Sequence, residues 1–212
     1  MGISEFVGKL SQQLSNGLPG HEAHQKMLPK MADGTAINLK HKNPPREGAV
    51  MILFFEEEGT VKFPLIQRPK YEGIHSGQMA LPGGKSELDD RDLRHTALRE
   101  TEEEIGVNSA KIEVFGELSS FYVVASNFQV LPVLGFMDHK PDFIPDNREV
   151  DQVVLAQTDH IISNEALKRK NVEAANGFHL DSPYFDVNGK VVWGATAMML
   201  SELVEIMKKV YE

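Results

Sequence analysis

The stretch that organises this sequence reads Leu81-Pro-Gly-Gly-Lys85 and continues, after ten further residues, as Thr96-Ala-Leu-Arg-Glu-Thr-Glu-Glu-Glu-Ile-Gly-Val107. It predicts a glycine loop that leads into one helix over about residues 90 to 105, with Gly106 just past its end. The last turns of that helix carry four glutamates, although this end of a helix prefers positive charge. Glutamates three and four residues apart also repel each other by roughly 0.2–0.5 kcal/mol per pair. A sequence that carries both penalties indicates a bound cation.

The angular positions of the glutamates divide them into a group of three and a single residue. At about 100° per residue, Glu103 and Glu104 fall about −60° and about 40° from Glu100, so three carboxylates share one arc. Glu102 falls about 200° away and is predicted to face solvent. Hard divalent cations such as Mg²⁺ take oxygen ligands of this kind. The buried flank is predicted to hold Leu93, Ala97, Thr101 and Ile105.

The glycine loop and the acidic helix strengthen each other as a signal. A run of glutamates is usually a solvated surface, and Pro-Gly-Gly is usually only a turn. Together, Gly83-Gly84 would let a ligand approach the backbone closely, and Lys85 would add a positive charge. Arg99 would hold a neighbouring carboxylate through its fork of donors. The combination predicts metal-assisted chemistry on a phosphoryl compound.

The composition excludes several other classes of protein. The 212 residues carry a formal net charge of −9, which argues against nucleic-acid binding by phosphate neutralisation. No cysteine is present, so disulfides, thiolate metal sites and cysteine nucleophiles are excluded. The sequence shows neither a secretory signal pattern nor an apolar run of about 20 residues. We therefore expect a cytoplasmic protein that binds neither nucleic acid nor membranes.

The chain is predicted to form one α/β domain over residues 47–212, preceded over residues 1–46 by an N-terminal helix and an extended, turn-rich arm. Helices are expected over residues 3–14, 160–170 and about 195–211. The apolar faces of the first and last helices are compatible with a homodimer. Strands are expected over residues 49–55, 61–68, 78–81, 112–118, 128–137 and 150–158, and Asn188-Gly189 predicts a two-residue hairpin turn between 184–187 and 190–193.

The loop and helix resemble the Nudix box, the signature G-x5-E-x7-R-E-U-x-E-E-x-G-U of Nudix hydrolases, in which U is apolar. The second half matches from Arg99 to Val107, with Thr101 at an apolar position, and Gly84 matches the leading glycine. Asp90 stands where the signature has glutamate, and eight residues instead of seven separate it from Arg99. Coenzyme A pyrophosphatases, a subgroup of this family, show the same lengthening.

The resemblance to this subgroup extends over roughly residues 18 to 205. Upstream of the box, the subgroup pattern is met by Leu65, Arg68, Gly77 and Pro82-Gly83-Gly84 and missed at Ile66, Pro69, Gly73 and Leu81. The resemblance implies an α/β/α sandwich around a mixed β-sheet. It also implies hydrolysis of coenzyme A or its derivatives to 3′,5′-ADP and 4′-phosphopantetheine, with Mg²⁺ or Mn²⁺ as cofactor.

The resemblance implies roles for the residues of the box. Glu100 and Glu104 look like the principal metal ligands, Glu103 like a third ligand or the group that activates water, and Arg99 like the residue that orients Glu100. A loop carboxylate is an alternative activator of water.

Other residues are candidates for binding the substrate. Arg68 and Lys85 would hold phosphate oxygens beside Gly83 and Gly84, and each is equally compatible with an ordinary surface cation. His75 would line the same pocket, although a solvated loop histidine is the commoner case.

Two alternative functions are compatible with the sequence. The substrate could be ADP-ribose, a dinucleotide or a nucleoside triphosphate, because four upstream positions miss the subgroup pattern. Alternatively, the chain could be a non-catalytic module that senses a nucleotide. Such modules generally lose box carboxylates and adjoin a DNA-binding region, whereas this chain keeps its carboxylates and shows no basic helix-turn-helix pattern.

Overall fold

The computed structural model describes residues 1–31, 41–72, 75–173 and 179–211. Its helices are α1 (Ile3–Ser15), α2 (His21–Gln25), α3 (Leu93–Ile105), α4 (Thr158–Ile161) and α5 (Gly194–Tyr211), with a 3₁₀ turn at Ser109–Lys111. Its strands are β1 (Lys30–Met31), β2 (Arg46–Glu57), β3 (Thr60–Gln67), β4 (Met79–Ala80), β5 (Gly83–Lys85), β6 (Glu113–Glu117), β7 (Phe121–Val123), β8 (Phe128–Phe136), β9 (Gln152–Gln157), β10 (Leu167–Glu173), β11 (His179–Val187) and β12 (Lys190–Val192). Within these ranges, no helix is both long and apolar enough to cross a membrane.

The strands form one mixed sheet and one smaller antiparallel sheet. In the described residues the mixed sheet has eight strands and follows the path β4-β3-β2-β8-β6, with β5 paired to β2, β7 to β8 and β9 to β3. β2 and β8 are parallel, and the other pairs in this sheet are antiparallel. The smaller sheet has the order β1-β11-β10, with β12 also paired to β11.

The apolar run at the start of the domain is a strand buried on both faces. In β2, Met51 and Leu53 pack into one cluster with α3, whereas Ile52 and Phe54 pack into another with α1 and α5. Because neighbouring strand residues point to opposite faces, such a strand needs apolar residues at every position. Helices therefore cover both faces of the mixed sheet. This α/β/α sandwich confirms the predicted fold class.

Three predicted helices and the predicted hairpin are present. α1 buries its apolar face within the chain, with the ring of Phe6 centred 5.1 Å from that of Phe54. α3 is followed by Gly106, whose left-handed φ of 69° ends the helix and turns the chain into the next loop. The hairpin turn at Asn188 and Gly189 has positive φ at both residues, 53° and 79°. Because α1 and α5 bury their apolar faces inside this chain, the homodimer stays a prediction that rests on the sequence alone.

The helix predicted over residues 160–170 is wrong. Helical structure in this region is limited to the four residues of α4, and Leu167–Glu173 forms a strand that pairs along its whole length with β11. Hydrogen bonds to a distant partner strand thus override the local helical pattern.

The extended arm predicted up to residue 46 is also partly wrong. It contains the short helix α2 and the strand β1, which pairs with Leu180 and Asp181 of β11. Residues 32–40 of the predicted arm lie outside the described part of the chain.

Candidate active site

The glycine loop lies directly against the acidic helix. Gly84 faces the side chain of Glu100, and a Cβ atom at this position would lie only 2.5 Å from the carboxylate carbon. Gly83 has a φ of 150°, and a Cβ there would meet the backbone of Ala49 and Val50 on β2. The Gly83 N–H donates to Oε2 of Glu104 at 2.8 Å. Both glycines are therefore required for the close approach of loop and helix.

The four glutamates of α3 have very different environments. Glu104 is almost completely buried, with 1% of its surface exposed, and Glu100 is half-buried beside it. Glu103 lies on the same side but is exposed. Glu102 points away, as the angular argument predicts, and its Oε2 accepts hydrogen bonds from the backbone and hydroxyl of Ser109 at 3.2 and 2.5 Å. Glu102 thus stabilises the turn that follows the helix.

Arg99 connects the loop, the helix and the residues before the helix. Its Nη1 donates to both Glu100 and Glu103 at 2.9 Å, and its Nη2 donates to the carbonyl oxygen of Lys85 at 3.0 Å. Its Nε and Nη2 donate to the two oxygens of Asp90 at 3.0 and 2.9 Å. A guanidinium group can serve all of these acceptors at once because its donors form a planar fork.

Asp90 is held by this fork and does not cap the helix. The helix cap is Asp92, whose side chain accepts from the backbone N–H of His95 at 2.8 Å. The carboxylate of Asp90 is 1% exposed, and hydrogen bonds from Arg99 hold its pKa well below the usual value. The residue that departs from the glutamate of the Nudix box therefore has a defined partner.

Burial disfavours the charged forms of Glu100 and Glu104. Burial raises the pKa of Glu104 to about 8, with the N–H of Gly83 and the charge of Arg68 opposing this rise in part. Burial also raises the pKa of Glu100, although Arg99 opposes it. The negative charge of Glu149 raises both values further. Desolvated carboxylates that repel one another favour a cation between them.

The donor atoms at this site suit a hard divalent cation. Oε2 of Glu100 and Oε1 of Glu104 accept no hydrogen bond from any residue in the described part of the chain. Carboxylate oxygens are ligands that Mg²⁺ prefers, and Mg²⁺ usually completes its shell with water and phosphate. In residues 1–31, 41–72, 75–173 and 179–211, no group of three or more acidic or histidine side chains is placed to hold a metal ion. The two free oxygens of Glu100 and Glu104 are thus a partial donor set, which water and phosphate oxygens would have to complete.

The candidate substrate-binding residues differ in how close they come to this site. Nη1 of Arg68 lies 4.0 Å from Oε1 of Glu104, and its Nε is buried without a hydrogen-bond partner among the described residues. Lys85 is exposed at the end of β5. His75 has a left-handed φ of 73°, and its Nδ1 lies 3.0 Å from Oε1 of Gln78 instead of contacting a carboxylate.

Glu149 is the acidic residue that sequence reasoning did not single out. It lies in the loop between β8 and β9, where its backbone N–H donates to the carbonyl of Asp146. The N–H of Asp146 in turn donates to the carbonyl of Glu104 at 3.0 Å, so this loop caps the end of α3. An acidic residue just before a predicted strand was the available signal. Only the tertiary structure brings this loop to the box.

Comparison with known proteins points to the same family. A family model described as NUDIX domain matches residues 45–182. The protein "Nudix hydrolase 15, mitochondrial" of Arabidopsis thaliana is 34% identical over 74% of this chain and 56% of its own length. The "mitochondrial coenzyme A diphosphatase NUDT8" of Mus musculus is 32% identical over 64% of this chain and 65% of its own length. The chain thus spans less than two thirds of either relative.

Among solved structures, a MutT/nudix family protein from Enterococcus faecalis shares 20% identity with this chain, at a TM-score of 0.47 over 82% of this chain and 64% of that one. The family model alone covers more than half of the sequence, and its range contains the glycine loop, α3 and the Glu149 loop. This chain belongs to the Nudix family.

Proposed function

We propose that this protein is a metal-dependent pyrophosphohydrolase that cleaves coenzyme A or its derivatives into 3′,5′-ADP and 4′-phosphopantetheine. The observation that carries the proposal is the pair of desolvated carboxylates, Glu100 and Glu104, set against a glycine backbone that leaves no room for a Cβ atom. The sequence pattern upstream of the box and the relative named as a coenzyme A diphosphatase support the choice of substrate.

The cation in this proposal is Mg²⁺ or Mn²⁺, since Nudix hydrolases generally use divalent metal ions. Glu100 and Glu104 would hold it through their free oxygens, with Glu103 as a third donor. When bound, the cation supplies positive charge that offsets the negative charge building on the phosphoryl oxygens in the transition state.

The remaining residues would position the pyrophosphate and move a proton. Arg68 is partly exposed and has its Nη1 4.0 Å from Oε1 of Glu104, so its guanidinium group would donate to a phosphate oxygen bound beside that carboxylate. Glu103 or Glu149 would accept the proton of the attacking water, because both are exposed carboxylates next to the buried pair. Arg99 acts through Glu100, which it holds in place by a hydrogen bond.

Two other functions are alternatives to coenzyme A hydrolysis. A different nucleoside diphosphate derivative, such as ADP-ribose, a dinucleotide or a nucleoside triphosphate, would use the same carboxylates. A sensing module would not require them, and the complete set of Glu100, Glu103, Glu104 and Arg99 favours catalysis.

The test is an incubation of the protein and Mg²⁺ with each of these compounds and with coenzyme A in ¹⁸O water, followed by mass spectrometry of the products. We expect coenzyme A to give 3′,5′-ADP and 4′-phosphopantetheine, with ¹⁸O in one of the two. Cleavage of another compound while coenzyme A stays intact would transfer the assignment to that compound. If no compound is cleaved, the proposal of an enzyme is wrong and the alternative of a nucleotide-sensing module is favoured.

A further inference from the structure

A second cleft lies at the same end of β3 as the buried carboxylates. It has a volume of about 390 Å³ and lies between β4 of the mixed sheet and the strands β10 and β12 of the smaller sheet. Its polar and aromatic lining includes Gln67, Gln78, Lys170, Asn171, Lys190 and Trp193. None of these six residues belongs to the Nudix box.

Trp193 is the single tryptophan of the sequence, and it lies between β12 and α5. The preceding residue, Val192, is fully buried at the end of β12, and the following residue, Gly194, begins α5 with a left-handed φ of 63°. The Trp193 side chain itself is only half-buried. Among the described residues its ring packs against no other aromatic ring. A planar ring at the wall of a cleft is a surface on which a base can stack.

The charges around the cleft favour an anion, although the chain as a whole is acidic. Lys190 is held in the wall by a hydrogen bond of 2.8 Å from its Nζ to Oε1 of Gln67. Lys170 is exposed and forms no ion pair within the described part of the chain. Glu173 is the one carboxylate among the described lining residues, against two lysines. The local balance is therefore positive where the net charge of the chain is −9.

Two consecutive residues at the end of β3 connect the cleft with the buried carboxylates. Gln67 lines the cleft, and the next residue, Arg68, reaches to within 4.0 Å of Glu104. Gln78 also lines the cleft, and its carbonyl oxygen accepts from the N–H of Arg68 at 3.0 Å. Consecutive strand residues point to opposite faces, so the end of β3 has the carboxylates on one face and the cleft on the other. A substrate bound across this end of β3 would contact both.

We propose that this cleft binds the purine nucleotide half of the substrate, with the base stacked on Trp193 and a phosphate that is not cleaved beside Lys170. This inference rests on the proposed function, because that function makes the substrate a nucleoside diphosphate derivative. It adds a specificity site outside the box, built from the smaller sheet and the start of α5.

The position of the only tryptophan makes the proposal directly measurable. Intrinsic fluorescence is followed while adenosine 3′,5′-bisphosphate is added to the full-length protein without divalent metal. We expect saturable quenching, and Lys170→Gln weakens the affinity roughly fivefold through the lost charged contact. Lys168→Gln, on the same strand but paired with Asp186 outside the cleft, is the matched control and keeps the wild-type affinity.

Kinetics provide the second measurement. Trp193→Leu raises KM for the cleaved nucleotide roughly tenfold with little change in kcat, because base stacking is lost while the carboxylates stay intact. Trp193→Phe, which keeps an aromatic face, recovers part of that loss. Absence of saturable quenching, or wild-type KM in Trp193→Leu, overturns the cleft and leaves the proposed hydrolysis standing. Saturable quenching in a protein that hydrolyses none of the tested compounds supports the cleft and overturns the hydrolysis.

Discussion

Gly84 and Glu100 lie so close together that no side chain fits at position 84. This contact brings a backbone segment and a half-buried carboxylate to one place, and Glu104 stands beside them with a pKa raised to about 8 by burial. Glu102, on the other side of the helix, contacts the turn at Ser109 instead. Glutamates of one helix thus have different roles, and the substitution of each by glutamine distinguishes these roles.

At the residue scale, the first prediction compares Glu104→Gln with Glu102→Gln. In Glu104→Gln the amide oxygen of the new side chain can still accept from Gly83, so the fold is retained while the negative charge is lost. We expect Glu104→Gln to lower Mg²⁺-dependent turnover at least about 100-fold and Glu102→Gln to change it by less than about threefold. Steady-state rates and melting temperatures of both variants check this. Equal loss of activity in the two variants would show that the angular division is wrong.

The second residue-scale prediction concerns Arg99. Lysine provides one point charge and cannot serve Asp90, Glu100, Glu103 and the carbonyl of Lys85 together. We expect Arg99→Lys to lower the free energy of unfolding by roughly 2 kcal/mol, since buried Asp90 loses its partner. Arg94→Lys, on the same helix with an exposed contact to Glu117, is the control and should stay within about 0.5 kcal/mol of wild type. Urea denaturation curves of both variants decide between these outcomes.

At the scale of elements, α5 carries a buried carboxylate that joins three separate segments. Glu202 is 0% exposed and accepts from the N–H of Gly20 at 3.0 Å and from the hydroxyl of Ser119 at 2.6 Å. Nε2 of His24 lies 3.0 Å from its other oxygen and carries the proton, because a carboxylate can only accept. A signal existed in the sequence: Glu202 lies four residues after Met198 and four before Ile206, on the buried stripe.

This network predicts a pH dependence of stability. Burial raises the pKa of Glu202, but hydrogen bonds from His24, Ser119 and Gly20 outweigh it, so the folded pKa lies below the ordinary 4.5. The stabilisation is therefore fully present above about pH 4.5 and is lost as the pH falls through the lower folded value. We expect Glu202→Gln to cost roughly 1–3 kcal/mol at pH 7 and to lack this acid-dependent part. Denaturation curves at several pH values between about 3 and 7 measure both effects.

Glu205→Gln is the control for this prediction because it changes the same helix at a partly exposed ion pair with Lys26. Its cost should stay below about 1 kcal/mol. A wild-type pH profile in Glu202→Gln would rule out the network as the source of the acid sensitivity.

For the whole molecule, the sequence predicts those elements that depend on residues close together in the chain. It does not predict the contacts that depend on residues far apart in the chain. The continuous apolar run in β2 and the periodicity in α1, α3 and α5 are local patterns, and the structure confirms them. Residues 167–170 of the strand β10 were predicted as helix because its partner β11 is defined only by the tertiary fold. Glu149 was not singled out for the same reason. The division into 1–46 and 47–212, the homodimer and the cytoplasmic location stay predictions.

The prediction at this scale is that the N-terminal helix is part of the main core. Phe6 is fully buried and packs edge-on against Phe54 of the central strand β2. We expect Phe6→Ala to lower the free energy of unfolding by roughly 3–5 kcal/mol in a single cooperative transition. Gln12→Ala, at an exposed position of the same helix, should have a negligible effect. A Phe6→Ala protein as stable as wild type would mean that α1 is an independent appendage.

The central claim is that the end of α3 holds a divalent cation, and Mn²⁺ binding followed by electron paramagnetic resonance tests it most directly. Free Mn²⁺ gives a six-line signal that falls when the ion binds protein, so the measurement does not depend on the identity of the substrate. We predict that wild type and Glu102→Gln bind Mn²⁺ equally, whereas Glu100→Gln and Glu104→Gln lose at least about tenfold in affinity. Equal Mn²⁺ affinity in all four proteins, or no binding by wild type, would contradict the account.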